Sequence, residues 1–295
     1  MRRWRLRWGV CVCCAWGGGF SSSEADTYSI LTQALGSRVG TERRSARDQE
    51  EHVSKKKEET LKKEFVRQAK TFRTSIAPEQ NVTLNYLLYL PPGYDPQHSD
   101  RWPLVLFLHG SSMRGNDVNL VKRQGLSRLV HQGQEFPFIL LSPQCPSSQW
   151  WTWPQLSTTL SHLLDEVEST YMVDPERIYV TGLSMGGFGT WSLAIAYPQR
   201  FAAIVPISGP ADDLDRISAI RHLPVWAFHG DQDYIVPLQS MVETVNALEA
   251  CGGNVKLTIY PDVGHNAADP AYADPELYRW LLSQRRQSEV GTKVK

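Results

Sequence analysis

A serine lies in a glycine-rich string near the middle of the chain, Thr181-Gly182-Leu183-Ser184-Met185-Gly186-Gly187. The apolar run before it, 177–182, predicts a strand, and residues 185–197 after it predict a helix. A serine on so sharp a strand-to-helix turn is exposed, and the helix directs its first N–H groups and positive dipole toward the serine oxygen. Neighbours two residues away must be small, because their Cβ atoms would collide across the turn. Gly182 and Gly186 meet that need, so the string predicts Ser184 as a nucleophile.

The same string could also be a dinucleotide-binding loop, since it is rich in glycine between a strand and a helix. A loop of that kind needs glycines in the register G-x-G-x-x-G, which TGLSMGGFG does not supply. It also lies in mid-chain, without a matching early βαβ unit. We therefore favour the nucleophile.

A nucleophilic serine needs a nearby base and an acid that holds the base in the correct tautomer. Asp231 and Asp233 follow the predicted strand VWAFHG, and His265 follows the predicted strand LTIYP. Because ligands of parallel sheets bind beyond the carboxyl ends of the strands, we expect these side chains to meet near Ser184. Asp231 could instead be a solvated carboxylate, and His265 an ordinary surface histidine.

Negative charge on a carbonyl oxygen in the transition state needs two N–H donors. One should come from Met185, directly after the serine. The second should come from the loop after the strand PLVLFLHG, with Ser111 favoured and Ser112 as the alternative. His109, at the end of that strand, is interpreted as a hydrogen-bonded structural residue and not as a second base.

Apolar strands alternate with amphipathic helices from residue 81 onward. The pattern predicts an α/β fold with a parallel sheet that is covered on both faces. The predicted strands are 81–90, 103–109, 136–141, 177–182, 201–207, 225–229 and 255–260. The predicted helices are 119–131, 156–171, 185–197, 238–250 and 275–283.

Several strings carry a family resemblance: LPPGYD, LHG, SPQCPSSQWW, DPERIYVTGLSMGGFGTW and HGDQDYIVP. Together they resemble the esterase branch of the α/β-hydrolase superfamily, which includes dienelactone hydrolases, feruloyl and acetylxylan esterases and prolyl-oligopeptidase catalytic domains. The resemblance covers roughly residues 66–285. It implies a three-layer α/β/α sandwich with a mostly parallel central sheet, and it selects Asp233 over Asp231 as the acid and His265 as the base.

Residues 1–65 match no family in this way and are expected to be a leader. Its first part, 1–23, has four Arg and no acid and could direct secretion or organelle import, or could be an unstructured tail. The rest is a charged disordered or helical stretch, and residues 286–295 are a tail. No stretch predicts a transmembrane helix, so a soluble mature protein is expected.

Charge and cysteine content exclude other classes of function. Residues 76–295 carry a net charge of −7, so nucleic acid is not an expected partner. Cys145 and Cys251 show no zinc spacing and are expected to be unpaired thiols, with one disulfide as the alternative. No metal or other cofactor is expected, and the sequence does not predict the oligomeric state.

Two features bear on the substrate. Only 17 residues separate the strands that end at Ile207 and begin at Val225, which leaves no room for a large cap domain. Trp150, Trp151 and Trp153 follow a predicted strand and should approach the same rim, where the first two could bind substrate. The alternative is that they fill the core beneath it.

Taken together, these residues predict a serine carboxylesterase that acts on small-molecule or polymer-attached esters. A peptidase or amidase with the same triad is the second hypothesis, and the lack of a propeller domain weakens it. A non-catalytic binding protein on the same fold is the third.

Overall fold

The computed structural model describes residues 67–77 and 80–286. The predicted leader, 1–65, with its targeting segment at 1–23, lies outside the described residues. So does the predicted tail from residue 287 onward.

Eight strands form one sheet in the order β1-β2-β4-β3-β5-β6-β7-β8. Both contacts of β2, with β1 and β4, are antiparallel, and every later pairing is parallel. The strands are β1 Arg67–Ala77, β2 Gln80–Tyr89, β3 Trp102–Leu108, β4 Ile139–Pro143, β5 Val173–Leu183, β6 Ala203–Ile207, β7 Val225–Gly230 and β8 Val255–Tyr260. The mostly parallel sheet is confirmed.

Helices cover both faces of the sheet. They are α1 Gly125–His131, α2 Pro154–Thr170, α3 Met185–Ala196, α4 Leu238–Ala250, α5 Ala268–Ala273 and α6 Pro275–Ser283. The buried side chains of α2, α3 and α4 belong to one hydrophobic cluster, and those of α1, α5 and α6 to a second. The three-layer α/β/α sandwich is therefore confirmed. No helix among the described residues has the length and apolar character that a bilayer crossing requires.

The central strand β3 shows why its sequence is a continuous apolar run. Leu104, Leu106 and Leu108 belong to the first cluster, whereas Val105 and Phe107 belong to the second. All five side chains are fully buried. Burial of each such side chain stabilises the fold by about 1.5–3 kcal/mol, so β3 anchors both layers at once.

Among the strands and α-helices of the described residues, two were not predicted. Strand β1 has little apolar content and buries only Phe72, because it lies at the sheet edge. Helix α5 is six residues long and contains Pro270, so its periodicity is too short to recognise. Strand β4 begins at Ile139 and not at residue 136. The connection from β6 to β7 holds only a short 3-10 helix, Ile217–Ile220, so no large cap domain is inserted there.

Candidate active site

Ser184 occupies the turn between β5 and α3 with φ 56 and ψ −119. Positive φ is rare for a residue with a side chain and costs about 1–3 kcal/mol. The surrounding bonds hold it there: the Ser184 N–H donates to the Ile207 carbonyl at 2.9 Å, and the Phe188 N–H donates to the Ser184 carbonyl at 3.0 Å. The turn thus presents the hydroxyl at the carboxyl edge of the sheet.

Glycines beside Ser184 are required by close backbone contacts. A Cβ on Gly182 would lie 2.4 Å from the Gly186 carbonyl oxygen, which is the expected collision across the turn. A Cβ on Gly186 would lie 1.8 Å from the carbonyl oxygen of Leu108 on β3. The second contact was not predicted, because it depends on how closely α3 approaches the neighbouring strand.

Three side chains predicted from the sequence form a continuous chain of hydrogen bonds. The Ser184 hydroxyl lies 2.8 Å from Nε2 of His265, and Nδ1 of the same ring lies 2.8 Å from Oδ2 of Asp233. His265 follows β8 and Asp233 follows β7, so loops after three different strands supply the three groups. Such an arrangement can pass the serine proton to the imidazole and stabilise the imidazolium that results.

The carboxylate of Asp233 is buried and well supplied with donors. Its Oδ1 accepts the N–H groups of Ile235 and Val236 at 3.0 and 2.9 Å. Burial alone would raise the pKa of Asp233, but the N–H groups and the His265 ring together hold that pKa below its ordinary value. Asp231, the alternative acid, is exposed, and its N–H donates to the Tyr260 carbonyl.

His229 contacts the same carboxylate, and the sequence analysis missed it. Its Nε2 lies 3.2 Å from Oδ2 of Asp233 and 2.9 Å from the carbonyl oxygen of Val236. The string HGDQDYIVP contained the signal, a histidine four residues before the acid, but among the histidines at the ends of predicted strands only His109 was weighed.

His109 has both ring nitrogens engaged, as expected of a structural residue. Nδ1 lies 2.7 Å from the Gly110 carbonyl, and Nε2 accepts the Cys145 N–H at 3.0 Å. Burial lowers the pKa of His109 to about 4, against the opposing effect of the Gly110 carbonyl, and the charge of Arg114 lowers it further. The ring is therefore neutral at pH 7. Cys145 and Cys251 are both free thiols.

Trp151 does not line the surface of the site, which corrects the expectation. Its side chain is fully buried, and its Nε1 donates to the His109 carbonyl. The residue packs so closely that a Cβ on Gly189 of α3 would lie 2.4 Å from Trp151 Cβ. The alternative weighed from the sequence, a core position beneath the rim, therefore holds for Trp151.

Trp150 and Trp153 remain accessible, with 40% and 39% of their surfaces exposed. The guanidinium of Arg114 lies 5.2 Å from the centroid of the Trp150 ring. Arg114 also donates from Nε to the Ser111 carbonyl and from Nη1 to the Gln149 carbonyl. It thereby ties the loop after β3 to the loop that carries Trp150.

The two predicted N–H donors lie on segments that meet at the nucleophile. Met185 begins α3, where backbone N–H groups have no partner within the helix. Ser111 begins a 3-10 helix, Ser111–Met113, directly after Gly110. A Cβ on Gly110 would lie 3.5 Å from the Leu183 carbonyl, so this loop packs against the turn that carries Ser184.

Among the described residues, no group of three or more His, Cys, Asp or Glu side chains is placed to hold a metal ion.

Comparisons with known proteins relate this chain to esterases and other ester hydrolases. The family described as phospholipase/carboxylesterase matches residues 136–272. A bifunctional acetylxylan esterase/xylanase of Neocallimastix patriciarum is 26% identical over 55% of this chain, which covers 23% of that protein. A poly(3-hydroxyoctanoate) depolymerase of Pseudomonas fluorescens is 25% identical over 52% of this chain and 68% of its own length.

Solved structures extend the comparison to the fold. The crystal structure of a thermostable esterase has a TM-score of 0.64 and 31% identity, and the match covers 75% of this chain and 64% of that one. Peptidase structures also match, at 14–17% identity, which shows a shared fold alone. The chain thus spans less than two thirds of the length of several proteins that it resembles.

Proposed function

Since the chain belongs to the α/β-hydrolase superfamily and its relatives lie in the esterase branch, we propose that it is a serine carboxylesterase with Ser184, His265 and Asp233 as its triad. The observation that carries this proposal is the pair of 2.8 Å contacts on either side of the His265 ring. Neither contact alone would serve, because the base needs both a proton to accept and an acid to orient it.

The reaction follows from those contacts. Oγ of Ser184 attacks the ester carbonyl carbon while its proton moves to Nε2 of His265. The N–H groups of Met185 and Ser111 stabilise the oxyanion. Nε2 then returns the proton to the alkoxy oxygen as the bond between that oxygen and the carbonyl carbon breaks. The alcohol leaves, and the acyl group stays bonded to Oγ of Ser184. Water then attacks the acyl carbonyl carbon while Nε2 takes its proton. The bond from that carbon to Oγ breaks as Nε2 gives the proton to Oγ, which releases the carboxylic acid and restores the serine hydroxyl.

The substrate is a small-molecule or polymer-attached ester. The short β6–β7 connection supports this proposal, because no large cap is present there to enclose a long acyl chain. Of the two tryptophans predicted to bind substrate, Trp150 is the exposed one, and its ring can stack on the acyl or alcohol part of the substrate. Relatives named as an acetylxylan esterase and a poly(3-hydroxyoctanoate) depolymerase are consistent with polymer-attached esters.

The peptidase or amidase hypothesis has weaker support. Its support comes from solved structures at 14–17% identity, of which this chain covers only 36–43%. A non-catalytic binding role would leave the aligned hydroxyl, imidazole and carboxylate without a use.

A hydrolysis panel tests the proposal. Turnover of p-nitrophenyl acetate and butyrate is expected for the wild type and not for Ser184→Ala, and a fluorophosphonate probe should label the wild type at Ser184. Chromogenic peptides run beside the esters separate the first two hypotheses. A preference for peptides would favour the peptidase, and an unlabelled wild type without ester turnover would exclude the triad proposal.

A further inference from the structure

His229 lies inside the fold, directly beneath the loop that carries Asp233. It is the fifth residue of β7, and its side chain is fully buried. A Cβ on the next residue, Gly230, would lie 2.1 Å from the Val263 carbonyl oxygen. The end of β7 therefore lies against the loop that carries His265, so His229 is positioned where the acid loop and the base loop meet.

The contacts of His229 define which ring nitrogen carries the proton. Nε2 faces two acceptors, the Val236 carbonyl oxygen at 2.9 Å and Oδ2 of Asp233 at 3.2 Å, so Nε2 is protonated and donates to both. Burial lowers the pKa of His229, although the Val236 carbonyl and the Asp233 charge oppose that shift. The buried Nδ1 has no hydrogen-bond partner among the described residues, so the ring carries a single proton, on Nε2.

The two oxygens of Asp233 are held differently. Oδ1 accepts the N–H groups of Ile235 and Val236. Oδ2 contacts two imidazole rings, at 2.8 Å from Nδ1 of His265 and 3.2 Å from Nε2 of His229. Without His229, Oδ2 would depend on His265 alone. The Val236 carbonyl would also lose its ring donor, so the loop that supplies the Oδ1 donors would be less firmly held.

We propose that His229, as a neutral Nε2–H tautomer, is a positioning residue that keeps Oδ2 of Asp233 directed at Nδ1 of His265. This inference rests on the proposed triad and extends it by a fourth side chain that never touches the substrate. Histidine suits the position because one N–H can bridge the acid and a carbonyl of its own loop.

The test compares His229→Leu, which keeps apolar bulk but removes the donor, with His229→Gln, whose amide N–H can reach as far as Nε2. Outer residues that orient metal-ligating histidines typically contribute 10- to 100-fold to activity. We expect an effect of the same order where the oriented group is the Asp233 carboxylate, so kcat of the Leu variant on p-nitrophenyl acetate should fall by about 10- to 100-fold. KM should not change, and the low-field proton resonance of the His265–Asp233 hydrogen bond should weaken. The Gln variant should recover most of kcat. His222→Leu, which removes an exposed ring contact to the Pro198 carbonyl, is the matched control.

Wild-type kcat and an unchanged low-field resonance in His229→Leu would overturn the inference. If that variant does not fold, ¹⁵N spectra of the wild-type histidines decide. A protonated Nδ1 on His229 at pH 7, whether in the neutral Nδ1–H tautomer or in the imidazolium cation, would contradict the inference. Failure of the proposed function looks different, because the wild type itself would then be inactive and unlabelled.

Discussion

The indole N–H of Trp151 donates to the carbonyl oxygen of His109 at 3.0 Å, and the two rings meet edge to face with centroids 5.3 Å apart. Trp151 lies in the segment after β4, whereas His109 is the first residue after β3. The pair therefore fixes the loop after one strand against the end of its neighbour, immediately before the loop that carries Ser111.

Replacing Trp151 with Phe should destabilise the protein by about 2–4 kcal/mol. The change leaves a buried carbonyl without its donor and opens space in the core. Trp150→Phe, at an exposed neighbouring position, should alter stability by no more than about 0.5 kcal/mol. Urea unfolding of the two variants makes the comparison, and equal losses would contradict a core role for Trp151.

Gly186→Ala should destabilise the fold by about 3 kcal/mol or more, because the new Cβ would stand 1.8 Å from the Leu108 carbonyl oxygen and force α3 away from β3. Fluorophosphonate labelling of Ser184 should be lost together with stability. Gly264→Ala is the control, since its Cβ would find its nearest atom at 3.7 Å. Thermal melting and labelling of both variants are the measurements, and a Gly186→Ala protein as stable and as reactive as the control would refute the packing argument.

Asp233→Asn should lower kcat for ester hydrolysis by roughly 10⁴-fold, the loss typical of a triad acid whose amide replacement favours the wrong imidazole tautomer. Asp231→Asn should retain wild-type activity, because that side chain is exposed and lies outside the hydrogen-bond chain. Steady-state kinetics on p-nitrophenyl acetate distinguish the two. The reverse result would transfer the acid role to Asp231.

His109 should make stability depend on pH. Its pKa is lowered to about 4 in the folded protein by burial, whereas the unfolded chain binds the proton near pH 6.5. The folded state is therefore favoured above pH 6.5, and this contribution is lost as the pH falls toward 4. Between pH 7 and pH 5 the wild type should lose roughly 2 kcal/mol more than His109→Gln, which can still donate and accept. Equal losses in urea titrations at the two pH values would disprove the assignment.

The backbone N–H of Ser111 can be tested separately from its side chain, because proline at this position removes the N–H and alanine removes only the hydroxyl. Gly110 before it has φ −74 and ψ 171, a conformation that a following proline accepts, and Ser111 is the first residue of its helix. Ser111→Pro should lower kcat by 10²- to 10³-fold if this N–H stabilises the oxyanion, whereas Ser111→Ala should have little effect. Normal kinetics in a folded proline variant would direct attention to Ser112.

Elements could be predicted where the sequence carries a clear apolar pattern, which is continuous in the buried strand β3, alternating in the edge strand β8 and of helical period in α4. Helix α4 and strand β8 were predicted with the bounds that the structure has. Strand β1 could not be, because its sequence RQAKTFRTSIA has few large apolar residues and almost no hydrophobic period.

Residues of the site could be predicted where a local motif forces the geometry, and not where packing decides. Ser184 lies in a turn that its flanking glycines identify. Three tryptophans within four residues gave no indication that Trp151 alone points inward, since that depends on its contacts with His109 and α3. His229 was not predicted for a similar reason, because its contact with Asp233 depends on how the loop after β7 folds back over the strand.

The backbone of Ser184, with φ 56, lowers the stability of the fold at the position of the proposed nucleophile. Glycine would adopt this conformation without strain, so a more heat-resistant but inert chain is a single codon away. Selection for thermal tolerance alone would drift toward such a chain. Variants selected for a higher melting temperature must therefore also be assayed for ester hydrolysis.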